Sequence, residues 1–167
     1  MRGGCAIALA AGHLLLAACS ADVDPALVLG TGEIEFEHLA DGDELEVIRG
    51  PQNGFHVLGA IRVAGIEPGN SDNLAATDNP TTVFTLTTDA GEVQFPNEIV
   101  QGLPTAPRSA APWSHEMLNR RVVLDILSDD ELDGVDATLA VTLTDVDGEA
   151  LTGAVDVHLV PSPFNDL

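Results

Sequence analysis

The octapeptide Arg49-Gly50-Pro51-Gln52-Asn53-Gly54-Phe55-His56 divides two runs of alternating apolar residues. Upstream, Leu45 and Val47 stand between Glu44, Glu46 and Ile48. A period of two puts Leu45 and Val47 on one face of a half-buried strand. Downstream, residues 55–66 form the longest strand candidate, with Phe55, Val57, Gly59, Ile61 and Val63 on one face. His56, Leu58, Ala60, Arg62 and Ala64 make up the other, mixed face. A strand that is apolar on most of both faces belongs in the middle of a sheet. Between the runs, Pro51 presets φ and Asn53-Gly54 tolerates left-handed backbone. The octapeptide therefore reads as a tight turn that sets the register of a core hairpin, and Gly54→Val is expected to destabilise it. Gln52, Asn53 and His56 also offer hydrogen-bonding groups there, and loops on rigid β scaffolds commonly carry binding.

Further strand signals lie on both sides. Residues 33–37 alternate, with Ile34 and Phe36 on one face, and Asp41-Gly42 provides a turn. Residues 67–80 are a polar loop, and Thr81–Thr88 is a Thr-rich strand. Asp89-Ala90-Gly91 then turns the chain into a short return strand stopped by Pro96. Residues 97–119, broken by Pro104, Pro107 and Pro112, are expected to form a long irregular loop. Residues 122–127 read as an apolar strand, 128–136 as an acidic turn, 137–144 as an alternating strand and 154–160 as the last strand. No stretch after the N-terminal segment has a helical period. The expected fold is all-β, an Ig-like antiparallel β-sandwich of about seven or eight strands.

Composition narrows the function classes. The hydrophobic fraction is 45% but the aromatic fraction only 4%, so the core of this 167-residue chain must be mainly Val, Leu, Ile and Ala. The net charge is −21, and all six basic residues are arginine: Arg2, Arg49, Arg62, Arg108, Arg120 and Arg121. Such a surface repels phosphate backbones and excludes ordinary nucleic-acid binding. Direct electrostatic docking on anionic lipid is disfavoured for the same reason.

The N-terminus reads as an address. Met1-Arg2-Gly3-Gly4 is positive, residues 5–18 are small and apolar, and no acidic residue precedes Asp22. That is the layout of a secretory signal, too short to span a bilayer comfortably. The string Leu16-Ala17-Ala18-Cys19 resembles a bacterial lipobox, in which cleavage precedes a cysteine that then carries a thioether-linked diacylglycerol and usually an N-acyl chain. The resemblance implies a signal peptide at 1–18, lipidation at Cys19, and a mature chain with neither a second cysteine nor a disulfide. Residues 19–32 would be a tether, 33–161 the β-sandwich and 162–167 a C-terminal tail. Ser20, rather than Asp, after the cysteine implies outer-membrane sorting by the enterobacterial rule, facing either the periplasm or the cell surface. Residues 45–65, with the core Gly-Pro-Gln-x-Gly-x-His, also resemble lipoproteins of myxobacteria and related high-GC bacteria. The commoner form there has Gly in place of Asn53, and the resemblance brings no activity with it.

Candidate chemistry is sparse. His56, His115 and Met117 offer imidazole and thioether, which suit copper. Asp129, Asp130 and Asp133 form the densest acidic cluster and could supply oxygens to calcium, without matching an EF-hand loop. Ser114-His115-Glu116 carries hydrolase residue types but lacks a G-x-S-x-G elbow, and residues adjacent in sequence rarely converge as a triad. There is no phosphate loop, CxxC or dinucleotide fingerprint. The expectation is a lipid-anchored cell-envelope protein with no catalytic residue and no cofactor. Its partners would be the membrane, through the anchor, and an envelope protein or glycan. A periplasmic copper- or calcium-binding lipoprotein is the alternative.

Overall fold

A computed structural model describes residues 23–165. The signal segment 1–18 and Cys19 lie outside the described residues. Ten strands follow in order: β1 (Ala26–Thr31), β2 (Glu37–His38), β3 (Asp43–Arg49), β4 (Phe55–Ala64), β5 (Thr81–Thr88), β6 (Gly91–Glu92), β7 (Glu98–Val100), β8 (His115–Val123), β9 (Asp136–Thr144) and β10 (Ala150–Pro161). Their hydrogen-bonded order is β2-β1-β4-β3-β10-β9-β5-β6, with β7 on β5 and β8 on β4. Two short 3₁₀ turns, Arg108–Ala110 and Asp129–Glu131, complete the described elements. The fold is all-β and sandwich-like, as the alternating runs require. It departs from the expectation in two respects. The strands number ten, because β2, β6 and β7 are only two or three residues long, and β3 pairs with β10 in parallel.

β3 joins the two layers. Its residues 43–47 pair with β10, and Ile48 and Arg49 then pair antiparallel with His56 and Phe55 of β4. One layer is therefore β1, β2, β4 and β8, and the other is β5, β6, β7, β9 and β10. Leu45 and Val47 face inward, 2% and 0% exposed. β4 is central, with β1 and β3 along one edge and β8 along the other.

The core lies between the layers. Val57, Ile61, Val63, Met117 and Val122 come from one side, and Phe84, Leu86, Leu139, Val141, Leu143 and Leu159 from the other. Threonines alternate with these residues on β5 and β9, so those strands bury one face each. The two layers meet closely at Gly59, where an added Cβ would lie 2.6 Å from Cε1 of Phe84. The missing side chain makes room for the largest of the fully buried core residues.

Four segments correct the sequence expectations. The tether is shorter than 19–32, because Ala26–Thr31 is a strand paired with Ala60–Ala64 of β4. Its continuous Ala-Leu-Val-Leu run is the signature of a strand covered on both faces. Residues 33–35 form a bend rather than a strand, and Ile34 is 88% exposed. Gly32, at φ 115, starts that reversal, and β2 then returns beside β1 with Gly30 opposite His38. Within the expected loop 97–119, β7 pairs with β5, and residues from His115 onward are strand β8. The strand expected at 122–127 starts seven residues earlier and ends at Val123, leaving Leu127 95% exposed. Beyond β10, residues 162–165 are docked on β3: the Ser162 N–H donates to Val47 O (2.9 Å) and the Asn165 amide to the same carbonyl (2.8 Å).

Candidate functional site

The Gly50–Gly54 turn closes locally. The Gly50 N–H donates to Gly54 O at 2.8 Å and the Asn53 N–H to Gly50 O at 3.0 Å. Asn53 takes the left-handed backbone, with φ 62. Gly54 does not, and a Cβ there would meet nothing within 4 Å. The register-setting residue is thus Asn53, and the expected cost of Gly54→Val has no basis in the turn's geometry.

Beneath the turn lies a two-part cleft. A cavity of about 240 Å³ is lined by Gly50, Pro51, Gln52, Gly54, Phe55, His56, Arg121 and Val123. An adjoining one of about 160 Å³ shares Gly50, Pro51, His56 and Arg121, and adds Glu33, Ile48, Arg49, Leu58 and Asn119. The alternation of β4 explains the floor: His56 and Leu58 point away from the core face that Val57 occupies. β8 then brings Arg121 opposite Leu58 and Val123 opposite His56. A register shift between Gly59 and Ile61, with Asn119 at φ 54, turns Asn119 into the same wall.

The electrostatics of the cleft are unlike the rest of the molecule. His56 is 9% exposed. Burial chiefly, and the Arg121 charge secondarily, lower its pKa, while Glu33 opposes them. The ring is therefore neutral near pH 7 and keeps one unprotonated nitrogen as an acceptor. Oδ1 of Asn119 is buried without a hydrogen-bond partner. Arg62, by contrast, is committed elsewhere on the same layer, 2.9 Å from Glu116 and 4.5 Å above the Phe36 ring. Among the described residues Arg49 and Arg121 have no ion-pair partner.

The sequence-derived candidates separate in space. Gln52 and His56 line the cleft, whereas Asn53 shapes the turn and lines neither cavity. His115 pairs with Val63, seven residues along β4 from His56, or about 23 Å at the rise of a strand. Met117 is 1% exposed, opposite Ile61 in the core. His56, His115 and Met117 therefore cannot share a copper ion.

The acidic turn is occupied by its own backbone. Ser128 and Glu131 form a capping box around Asp129–Glu131. Asp129 accepts from the Asn165 amide at 2.6 Å, and Asp130 from the Ser128 hydroxyl at 3.4 Å, while Asp133 is exposed. Among the described residues no three His, Cys, Asp or Glu side chains converge to hold a metal ion. At the other end of β4, the Ser114 hydroxyl donates to Val63 O (3.2 Å), with His115 Nδ1 3.0 Å from it. Glu116 turns away to Arg62. With its proton on a carbonyl and no carboxylate behind the imidazole, Ser114 lacks the arrangement of an activated nucleophile.

Arg121, Asn119 and Glu33 are the cleft residues that the sequence did not single out. Arg121 carried a faint signal, as a rare cation in an acidic chain. Comparison of the chain with protein-family models, with curated proteins and with solved structures returned no match.

Proposed function

We propose that the protein is a lipid-anchored cell-envelope module that binds a ligand in the cleft beneath the Gly50–Gly54 turn and has no catalytic activity of its own. The observation that supports binding is the convergence of His56, Arg121, Asn119 and the turn on one concave surface. Convergent polar groups in a cavity with partly apolar walls are the usual form of a ligand site. The Leu16-Ala17-Ala18-Cys19 string supports the anchor. Two or three acyl chains hold a protein to a bilayer durably, at about 0.8 kcal/mol per buried CH₂.

The two halves of this reading are geometrically compatible. Ala26 pairs with Ala64, so the chain enters the fold at the end of β4 opposite His56. β4 has ten residues, about 33 Å of strand. The seven positions 19–25 reach at most about 25 Å. Entry of the chain at the far end of β4 from the cleft is compatible with an anchored end at the bilayer and a cleft open to soluble or envelope-bound partners.

The test has two arms. Cys19→Ala should move the protein from the membrane to the soluble fraction; a variant that stays with the membrane refutes the anchor. Capture of partners from envelope extract should depend on His56 and Arg121; equal capture by a His56→Ala, Arg121→Ala double variant refutes the cleft.

A further inference from the structure

We propose that the His56–Arg121 cleft recognises an acidic sugar, a polyhydroxylated ligand bearing a carboxylate. This rests on reading the protein as a binding module and adds the chemical class of its ligand.

Three independent features of the cleft carry the proposal. The first is charge. The chain has 27 acidic and six basic residues. A chain so rich in carboxylates has every opportunity to pair its arginines. Of the five described arginines only Arg62 is paired, but Arg49 and Arg121 are brought together in one cleft whose single acidic lining residue is Glu33. The cleft is a local positive exception on a negative molecule, and a guanidinium fork matches a carboxylate in shape as well as charge.

The second is hydrogen-bond polarity. Asn119 Oδ1 is buried and unpartnered, and a buried acceptor without a donor is costly. The Asn119 N–H donates to Gly32 O at 3.1 Å, and the left-handed backbone holds the residue in the wall. The Glu33 carboxylate and the unprotonated nitrogen of His56 are further acceptors beside it. Two acceptors lining the cavity, with a third buried in the wall beside them, call for hydroxyl or amide donors. The third feature is the apolar part of the lining, from Pro51 and Val123, of which Val123 is 44% exposed. That surface suits the C–H face of a ring.

A carboxylated sugar meets all three demands at once. Its carboxylate faces the guanidinium groups, its hydroxyls face Asn119, Glu33 and His56, and its ring lies on Pro51 and Val123. A neutral sugar leaves the arginines without a counter-charge. The carboxylate of a peptide C-terminus brings too few donors for the acceptor wall.

The intact chain, purified from whichever fraction holds it, is titrated with D-glucuronate, D-glucose and N-acetylglycine while His56 ring protons and Arg121 side-chain resonances are followed by NMR. Saturable shifts at both residues are expected with glucuronate, and markedly weaker ones with the other two. Arg121→Gln should weaken glucuronate binding by about tenfold, the loss expected for one charge-assisted contact, with an unchanged melting midpoint because Arg121 is exposed. Arg121→Lys should restore part of the affinity. Asn119→Gly keeps the left-handed backbone and should weaken glucuronate more than N-acetylglycine. Glucose binding as tightly as glucuronate overturns the proposal, as does binding indifferent to Arg121→Gln. Preference for N-acetylglycine assigns the cleft to peptide termini instead. Envelope capture through His56 and Arg121 without any glucuronate response leaves the binding module standing and removes the acidic-sugar class.

Discussion

Asn53 shows how far a single residue governs the turn. Its φ of 62 is a conformation that Asn and Gly tolerate and β-branched residues do not. Asn53→Val should cost about 1–2 kcal/mol in chemical denaturation, Asn53→Gly should be nearly neutral, and Gly54→Ala should be tolerated. His56 gives a second residue-scale prediction. Its folded pKa, like that of His115, is depressed below the ordinary 6.5, by burial first in both cases. The folded state then binds fewer protons than the unfolded chain over the window from 6.5 down to the folded value. Stability is fully present above 6.5 and lost as pH falls through the folded pKa. The melting midpoint should drop on acidification from pH 7 toward 5, and the drop should be smaller in a His56→Gln, His115→Gln double variant.

Among the elements, β5 shows how an edge is completed without a full strand. β7 covers its residues 81–83 and β6 its residues 87–88. Between them, Asn97 accepts from the Phe84 N–H (3.0 Å) and donates to Phe84 O (2.9 Å), and Gln94 accepts from the Leu86 N–H (2.9 Å). Side-chain amides thus occupy the place of a neighbouring backbone and blunt an edge that would otherwise invite another chain. Asn97→Leu should cost about 2 kcal/mol or more, since it strands two backbone groups of a buried residue, and should raise the aggregation rate on heating. Gly59→Ala should cost about 1–3 kcal/mol by overpacking against Phe84. β9 was legible because its residues alternate cleanly, and β4 because its ten residues form a long apolar run, each with turn chemistry at an end. β8 was not, because prolines precede it and its register comes from β4 across the ladder. Residues 33–37 misled because five alternating residues are too few to outweigh a glycine at φ 115.

For the whole molecule, charge is the dominant feature. Loss of Arg2 with the signal would take the net charge from −21 to −22. Among the described residues only Arg62–Glu116 and His158–Asp136 are paired within 4.0 Å. Self-repulsion should therefore weaken the fold at low salt. The melting midpoint is expected to rise as sodium chloride increases from about 10 to 150 mM, over which the Debye length falls from roughly 30 to 8 Å. A flat salt response would mean that the acidic groups are spaced widely enough not to interact.

Local pattern by itself determined the all-β class, the inward faces of β3, β4 and β9, the tight turn at Pro51–Gly54, and the lipobox resemblance at Cys19. Each depends on residues within about one strand length of one another, and a period of two needs no knowledge of what lies opposite. Only the tertiary structure decided that β3 leaves β4 after two pairs to join β10, that Ala26–Thr31 belongs to the sheet, and that His115 and Met117 lie far from His56. The cleft belongs to this second kind. Glu33, His56 and Arg121 are separated by tens of residues, and the β4–β8 ladder and the bend after Gly32 bring them together. Pairing register between distant strands is set by how two layers share one core, and no single segment carries that information.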